Sequence, residues 1–297
     1  MTAVSMIFDR SLQRHRRRRA ASSDAATFLL DRVAGELADR LATVLRRFDL
    51  VLDLGTPGEA VRAALLRLDS VGTVVGADVL PRGRPFVVAD EEALPFGNGS
   101  IDLVVSALAL QFVNDLPGVL LQVRRALKPD GLFLAALLGG ETLTELRQSF
   151  AAAESEIEGG ASPRVAPFAD LRELGGLLQR AGFALPVTDV DRLTVRYGSV
   201  FDLLRDLRRM GATNSLIARR RNPLRRATLR RMAEIYALQF ADPDGRIHAT
   251  FDVVWLSGWA PHPDQQQPLT PGSAKVRLAD ALGTREISTG EKAGRQR

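Results

Sequence analysis

The stretch 50–68 constrains this chain more than any other. Leu50-Val51-Leu52 is a short apolar strand. Asp53-Leu54-Gly55-Thr56-Pro57-Gly58-Glu59 is an acid-led turn with two glycines, and 60–68 is helical in composition, with apolar residues at 61, 64, 65 and 68 on one face. A strand, a glycine turn and a helix in that order form a βα unit, whose turn amides and helix start face one edge of a sheet. That edge suits the polar part of a nucleotide-like ligand. Two glycines in a turn are common, so the unit gains meaning only from further strands and acids at fixed distances along the chain.

Residues 73–138 repeat the alternation. Thr73-Val74-Val75-Gly76-Ala77-Asp78 is a second strand ending in an acid, 25 residues after Asp53, where a doubly wound sheet uses a carboxylate to accept ribose hydroxyls. A third strand, 86–89, ends at Asp90-Glu91, and a fourth runs over 101–106. Asp115 caps a helix through 127 with Pro117 in its first turn, and Lys128-Pro129-Asp130-Gly131 turns into strand five, 132–138. This predicts an α/β, Rossmann-like parallel sheet. Ahead of it, 24–48 has the apolar spacing of an amphipathic helix. Beyond it, Thr142 and Glu145 form a capping box for a helix to about 156, a further helix covers 169–182, and strand six covers 186–197. Ser199 starts a helix that stops at Gly211, 224–240 is another, and 249–259 returns as the last strand. The expected division is an N-terminal helical segment (1–48), a sheet domain (49–198 and 249–260), a helical insertion (199–248) and a loose tail (261–297), disordered from about 284.

Composition narrows the chemistry. With no cysteine and three histidines (His15, His248, His262), neither thiolate nor histidine-rich metal sites are expected. No apolar run approaches the ~20 residues of a membrane span, and 1–5 lack a signal-like core, so the expectation is cytoplasmic. Net charge is +5 but uneven: residues 1–20 carry +5, residues 205–231 carry +9, and the remainder about −9. The run Arg16 to Arg19 has no interleaved aromatic residues for base stacking and is expected to be a solvated helix face. Nucleic acid is not an expected partner. At most, the arginine clusters touch the inner face of a membrane peripherally. The 205–231 cluster is either another solvated face or a dock for an acidic carrier domain.

Leu52-Asp53-Leu54-Gly55, Asp78, 89–96, 100–105 and 127–131 together resemble the class I S-adenosylmethionine-dependent methyltransferases. Phe8-Asp9-Arg10, 139–147, 153–160, 180–183 and Gly258-Trp259 resemble one subfamily, which contains a mitochondrial complex I assembly factor described as a methyltransferase-like protein arginine hydroxylase, with its alphaproteobacterial relatives. A carrier-protein O-methyltransferase is a more distant relative. The resemblance implies a seven-stranded methyltransferase sheet with an antiparallel last strand, and S-adenosylmethionine as cofactor. Asp53, Gly55 and Gly58 would approach its methionine part, Asp78 its ribose, Asp90 and Glu91 its adenine, while Ser106 and Ala107 would line the pocket. Gln111-Phe112 stands where the subfamily often shows His-Trp. Pro57 and Glu59 replace two glycines of the family turn, which removes a backbone donor, sets a negative charge at the anion site and weakens the hold on cofactor. The link between strands two and three is too short for a crossover helix. Three functions are compatible with these residues: an enzyme modifying a protein substrate (methyl transfer, or arginine hydroxylation on a respiratory complex I subunit), a non-catalytic assembly factor, or a carrier-protein methyltransferase. For an arginine substrate the expected contacts are Glu154 and Gln111, because a guanidinium demands acceptors. The alternative for Glu154, Glu156 and Glu158 is pairing with the arginine-rich insertion.

Overall fold

The computed structural model describes residues 6–22, 24–265, 273 and 276–285. The chain divides into two units, Met1–His262 and Pro263–Arg297. In the second, the described part holds one short helix, α9 (Leu278–Leu282). The tail expected to be disordered lies, from 286 onward, outside the described residues.

The first unit is built on seven strands: β1 (Phe48–Leu54), β2 (Val71–Asp78), β3 (Phe86–Val88), β4 (Ile101–Ala107), β5 (Leu127–Leu138), β6 (Ala184–Tyr197) and β7 (Ile247–Trp259). Their order across the sheet is β3-β2-β1-β4-β5-β7-β6. The first five pair in parallel, as in Leu52↔Val75 and Val104↔Phe133, and β7 runs antiparallel to β5 and β6. This is the expected seven-stranded methyltransferase sheet. β2 and β3 are parallel neighbours with no helix between them, so the short link crosses as bare loop.

Helices cover both faces. On one, α2 (Phe28–Ala42), α3 (Ala60–Leu65), α5 (Thr144–Glu158), α7 (Val200–Arg209) and α8 (Arg226–Phe240) share a core with Val51, Leu103, Phe251 and Trp255. On the other, α4 (Leu116–Ala126) and α6 (Leu171–Arg180) bury Val119, Val123, Leu174 and Leu178 against Leu52, Leu54, Phe133 and Leu256. Adjacent strand residues serve opposite cores because side chains alternate across a sheet. α7 and α8 lie between β6 and β7 in the chain.

Two local expectations are corrected. The amphipathic pattern over 24–48 yields a helix only over Phe28–Ala42; Phe48 instead opens β1, paired with Val71 and 2% exposed. Sheet pairing took the last apolar residue of the pattern. The capping box at Thr142 and Glu145 does not form. Thr142 Oγ1 accepts from Asp252 N–H (3.1 Å) and donates to its carbonyl (3.2 Å), while Glu145 accepts from Thr250 N–H (3.1 Å). Both side chains tie α5 to β7, and the helix starts after Leu143 in a left-handed conformation (φ 56°).

Candidate functional site

α1 (Arg10–Ala21) lies over the C-terminal ends of β1 and β2. Asp9 caps it, accepting from Leu12 N–H at 3.0 Å. Its arginines at 10, 14 and 17 follow i, i+4, i+7 spacing and share one face. Positions 10 and 17 of that face are turned inward while Arg14 stays half-exposed, and the burial of Arg17 corrects the expectation that the run Arg16 to Arg19 is a solvated helix face. Arg17 is 11% exposed and Arg10 10%.

Beneath α1 sit the acids singled out from the sequence. Asp78, at the end of β2 and 1% exposed, accepts four hydrogen bonds: Arg17 at 2.5 and 3.3 Å, Arg82 at 2.6 Å and Leu80 N–H at 3.2 Å. Asp90 accepts from Arg10 (2.9 Å), Arg14 and Glu92 N–H (3.1 Å). Burial raises its pKa, yet the Glu92 amide and the guanidiniums outweigh that and hold it below the ordinary value. Glu91, also buried, pairs with Arg10 and lies 3.7 Å from Arg17.

The turn after β1 takes two left-handed glycines, Gly55 (φ 71°) and Gly58 (φ 90°). At Gly55 a Cβ would sit 2.8 Å from the Glu91 carboxylate, so only glycine lets turn and acid approach. The Gly55 carbonyl accepts from Arg17 (3.0 Å) and the Gly58 carbonyl from Arg82 (2.7 Å). Asp53 is buried with Oδ1 unpartnered. Burial pushes its carboxyl from 3.8 up to about 7, against the opposing pull of Thr56 and Arg82.

Ser106 and Ala107 do not line a pocket, contrary to expectation. Both are fully buried: Ser106 Oγ donates to the Leu54 carbonyl (2.7 Å) and Ala107 N–H to Thr56 Oγ1 (3.0 Å), pinning β4 to the turn. The next residues, Leu108, Ala109 and Gln111, reach the open space instead. That space is a cavity of about 850 Å³ between α1, α2, the turn, α5, α7 and the 164–168 loop. Leu30, Leu138, Leu146, Phe150, Leu204 and Phe251 supply much of an apolar wall. Among the described residues its charged wall is Arg16, Arg17, Arg82, Arg164, Arg208 and Arg209 against one acid, Glu59. Burial, then the charges of Arg219 and Arg19, lower the Arg16 pKa. Gln111 borders the cavity; its amide donates to the Leu108 carbonyl (2.9 Å) and its buried Oε1 has no partner.

Glu154 is elsewhere. It is completely buried and held by Ser162 N–H (2.7 Å) and Arg164 Nε (2.8 Å), so Arg164 rather than Glu154 faces the cavity. Glu156 pairs with Arg231, and Glu158 with Arg220 and Thr228, which is the insertion-pairing alternative. Asp189 pairs with Arg40 of α2. Among the described residues no cluster of three His, Cys, Asp or Glu side chains could hold a metal ion, and no helix is long and apolar enough to cross a membrane. Sequence reasoning missed Arg10, Arg14, Arg17 and Arg82. The signals were available in the helical spacing of the first three and in Arg82 lying four residues beyond Asp78.

A sheet ordered in this way, with β7 inserted antiparallel beside β5 and acids at the ends of β1 and β2, defines a methyltransferase-fold protein. Residues 52–135 match the family described as a methyltransferase domain. The YcgJ protein of Bacillus subtilis has the same fold, with a TM-score of 0.53 at 16% identity over 78% of this chain and 99% of that one. Sequence goes further. The mitochondrial arginine-hydroxylase NDUFAF5 of Danio rerio is 39% identical over 92% of this chain and 89% of its own. A malonyl-[acyl-carrier protein] O-methyltransferase of Laribacter hongkongensis is 36% identical over 86% of this chain and 90% of its own. The chain belongs to the NDUFAF5 arginine-hydroxylase family.

Proposed function

We propose that this chain modifies an arginine of a protein substrate, a respiratory complex I subunit, at the inner face of the membrane, and that S-adenosylmethionine is its cofactor. The observation that carries the proposal is the 39% identity to NDUFAF5 of Danio rerio over 92% of the chain. The site suits the cofactor in kind. Asp78, Asp90 and Glu91 are the acceptors that ribose hydroxyls and an adenine amine need, and Asp53 keeps a buried oxygen free for a donor. When bound, the cofactor supplies an electrophilic sulfonium methyl. The chain's own residues do the rest: Gln111 borders the cavity and keeps an unpaired Oε1 for a substrate N–H, Glu59 offers a guanidinium the one charge of opposite sign among the described residues of the wall, and the apolar wall receives the apolar part of the substrate. Peptides spanning the arginines of the partner subunit, incubated with protein and S-adenosylmethionine, are expected to gain one methylene on arginine by mass spectrometry with release of S-adenosylhomocysteine, or one oxygen when dioxygen and a two-electron reductant are also supplied. Unmodified peptides beside measurable cofactor binding would favour the assembly-factor alternative.

A second reading rests on the wall itself. Of the six wall arginines, Arg17 and Arg82 share Asp78, Arg164 pairs with Glu154 and Arg209 with Asp24, which leaves Arg16 and Arg208 without a carboxylate among the described residues and suited to an anionic group rather than a guanidinium. An acidic acyl group on a carrier protein is such a substrate, and the relation to malonyl-carrier methyltransferases supports it. Methyl ester formation on a malonyl carrier protein, with no change in arginine peptides, would select it.

A further inference from the structure

The three carboxylates suited to adenosine are already spoken for by the chain itself. A carboxylate offers about four lone-pair positions. At Asp78 all four are taken: two by Arg17, one by Arg82 and one by Leu80 N–H. Arg10 bridges Asp90 and Glu91, the pair suited to adenine. While α1 keeps these side chains in place, a ribose therefore has no acceptor left at Asp78, and of the adenine pair Asp90 Oδ1 is filled by Arg10 and the Glu92 amide, Asp90 Oδ2 accepts from Arg14, and Glu91 Oε2 accepts from Arg10.

Resting on the reading that S-adenosylmethionine is the cofactor, we propose that α1 carries a guanidinium latch: Arg10 and Arg17 occupy the adenosine half of the site, and cofactor binds only when they leave it. The helix backbone need not depart. Its start is fixed by Asn114, whose Oδ1 accepts from Ile7 and Phe8 N–H (2.9 and 2.8 Å), and by the Asp9 N–H bond to the Ser215 carbonyl (2.8 Å). Its far end packs on Gly211, where a Cβ would come within 3.4 Å of the Ala20 Cβ. Side-chain rotation suffices. Arg17 already borders the large cavity, which gives the released guanidinium room, and Arg10 retains the Gln13 side chain (3.0 Å) and the Phe112 carbonyl (3.3 Å) as partners. Release leaves Asp78 with Arg82, so its charge is never stranded. The same arginines tie down the turn that carries Pro57 and Glu59 in place of two glycines: Arg17 donates to the Gly55 carbonyl and Arg82 to that of Gly58.

The test is calorimetric binding of S-adenosylhomocysteine to the full chain and to Arg17→Gln, Arg10→Gln and Arg17→Lys. Removing a latch that is closed nine-tenths of the time or more tightens apparent affinity about tenfold or more. Arg17→Gln and Arg10→Gln are expected to do so, whereas Arg17→Lys, which still pairs with Asp78, stays close to the native protein. Weaker binding by Arg17→Gln would make Arg17 a cofactor holder and overturn the latch. Equal binding by all four proteins would overturn it too, while leaving the cofactor reading intact. No binding by any of them would overturn the cofactor reading itself. Should Arg17→Gln fail to fold, Arg10→Gln carries the same comparison.

Discussion

At the scale of single residues, burial decides more than identity. Asp53 stands out in the sequence for its place in the turn, but its physical peculiarity is a carboxyl pushed up to about 7 by burial. A raised folded value means its stabilising contribution is complete below about pH 4 and lost as pH rises through about 7. Chemical denaturation of native protein and Asp53→Asn across pH 4–8 isolates it: the native protein should lose stability relative to the variant as pH rises, by roughly 3–4 kcal/mol at most. Parallel curves would show that the carboxyl ionises normally. Glu154 makes the opposite point. Glu154 is itself fully out of water and holds Arg164 and Ser162, which makes Glu154→Gln a stability mutation, costing roughly 3–5 kcal/mol because it leaves a mostly buried guanidinium without its carboxylate. A variant with unchanged melting temperature and lost activity would restore it as a substrate contact.

At the scale of elements, α1 is the piece whose role inverts. Its charges read in sequence as a solvated surface, yet the face bearing positions 10, 14 and 17 closes the ends of β1 and β2. Gly211, left-handed at φ 72° past the end of α7, makes this possible because its missing Cβ would lie 3.0 Å from the Arg17 Cα. Gly211→Ala should cost roughly 1–3 kcal/mol from the left-handed strain alone. It should also lift α1, seen as faster amide exchange over 10–21. Exchange unchanged against native protein would mean that α1 is held independently of α7. The 205–231 arginines divide similarly: Arg209 pairs with Asp24, Arg219 with Asp9, Arg220 with Glu158 and Arg231 with Glu156, so these four tie the stretch to the N-terminal segment and to α5.

At the scale of the whole fold, one cavity of about 850 Å³ joins the N-terminal helices, the sheet ends and the helices between β6 and β7. Leu204 of α7 borders it and is only partly buried, so Leu204→Trp should fill space without overpacking the core. Melting temperature is expected to hold or rise, while turnover of the protein substrate falls at least tenfold with S-adenosylhomocysteine affinity retained. Normal turnover would place the substrate outside this cavity.

Much of this fold was legible from residues 50–138 alone. Strand and helix periods, the acids that end strands and the glycines at turns are local signals, and they determined a parallel sheet with Asp53, Asp78, Asp90 and Glu91 at or near its strand ends; the antiparallel last strand and the gathering of those acids into one site came from the resemblance. What only the tertiary structure decided is which partner each charge meets. Arg17 lies 61 residues from Asp78, and Glu154 meets Arg164 across a loop. A charged side chain carries no periodic mark of its partner, because the partner is set by where two elements pack. Burial follows the same rule: Ser106 at the end of β4 and Gln111 just beyond it look equally placed in sequence, yet one is sealed beneath the turn and the other faces the cavity.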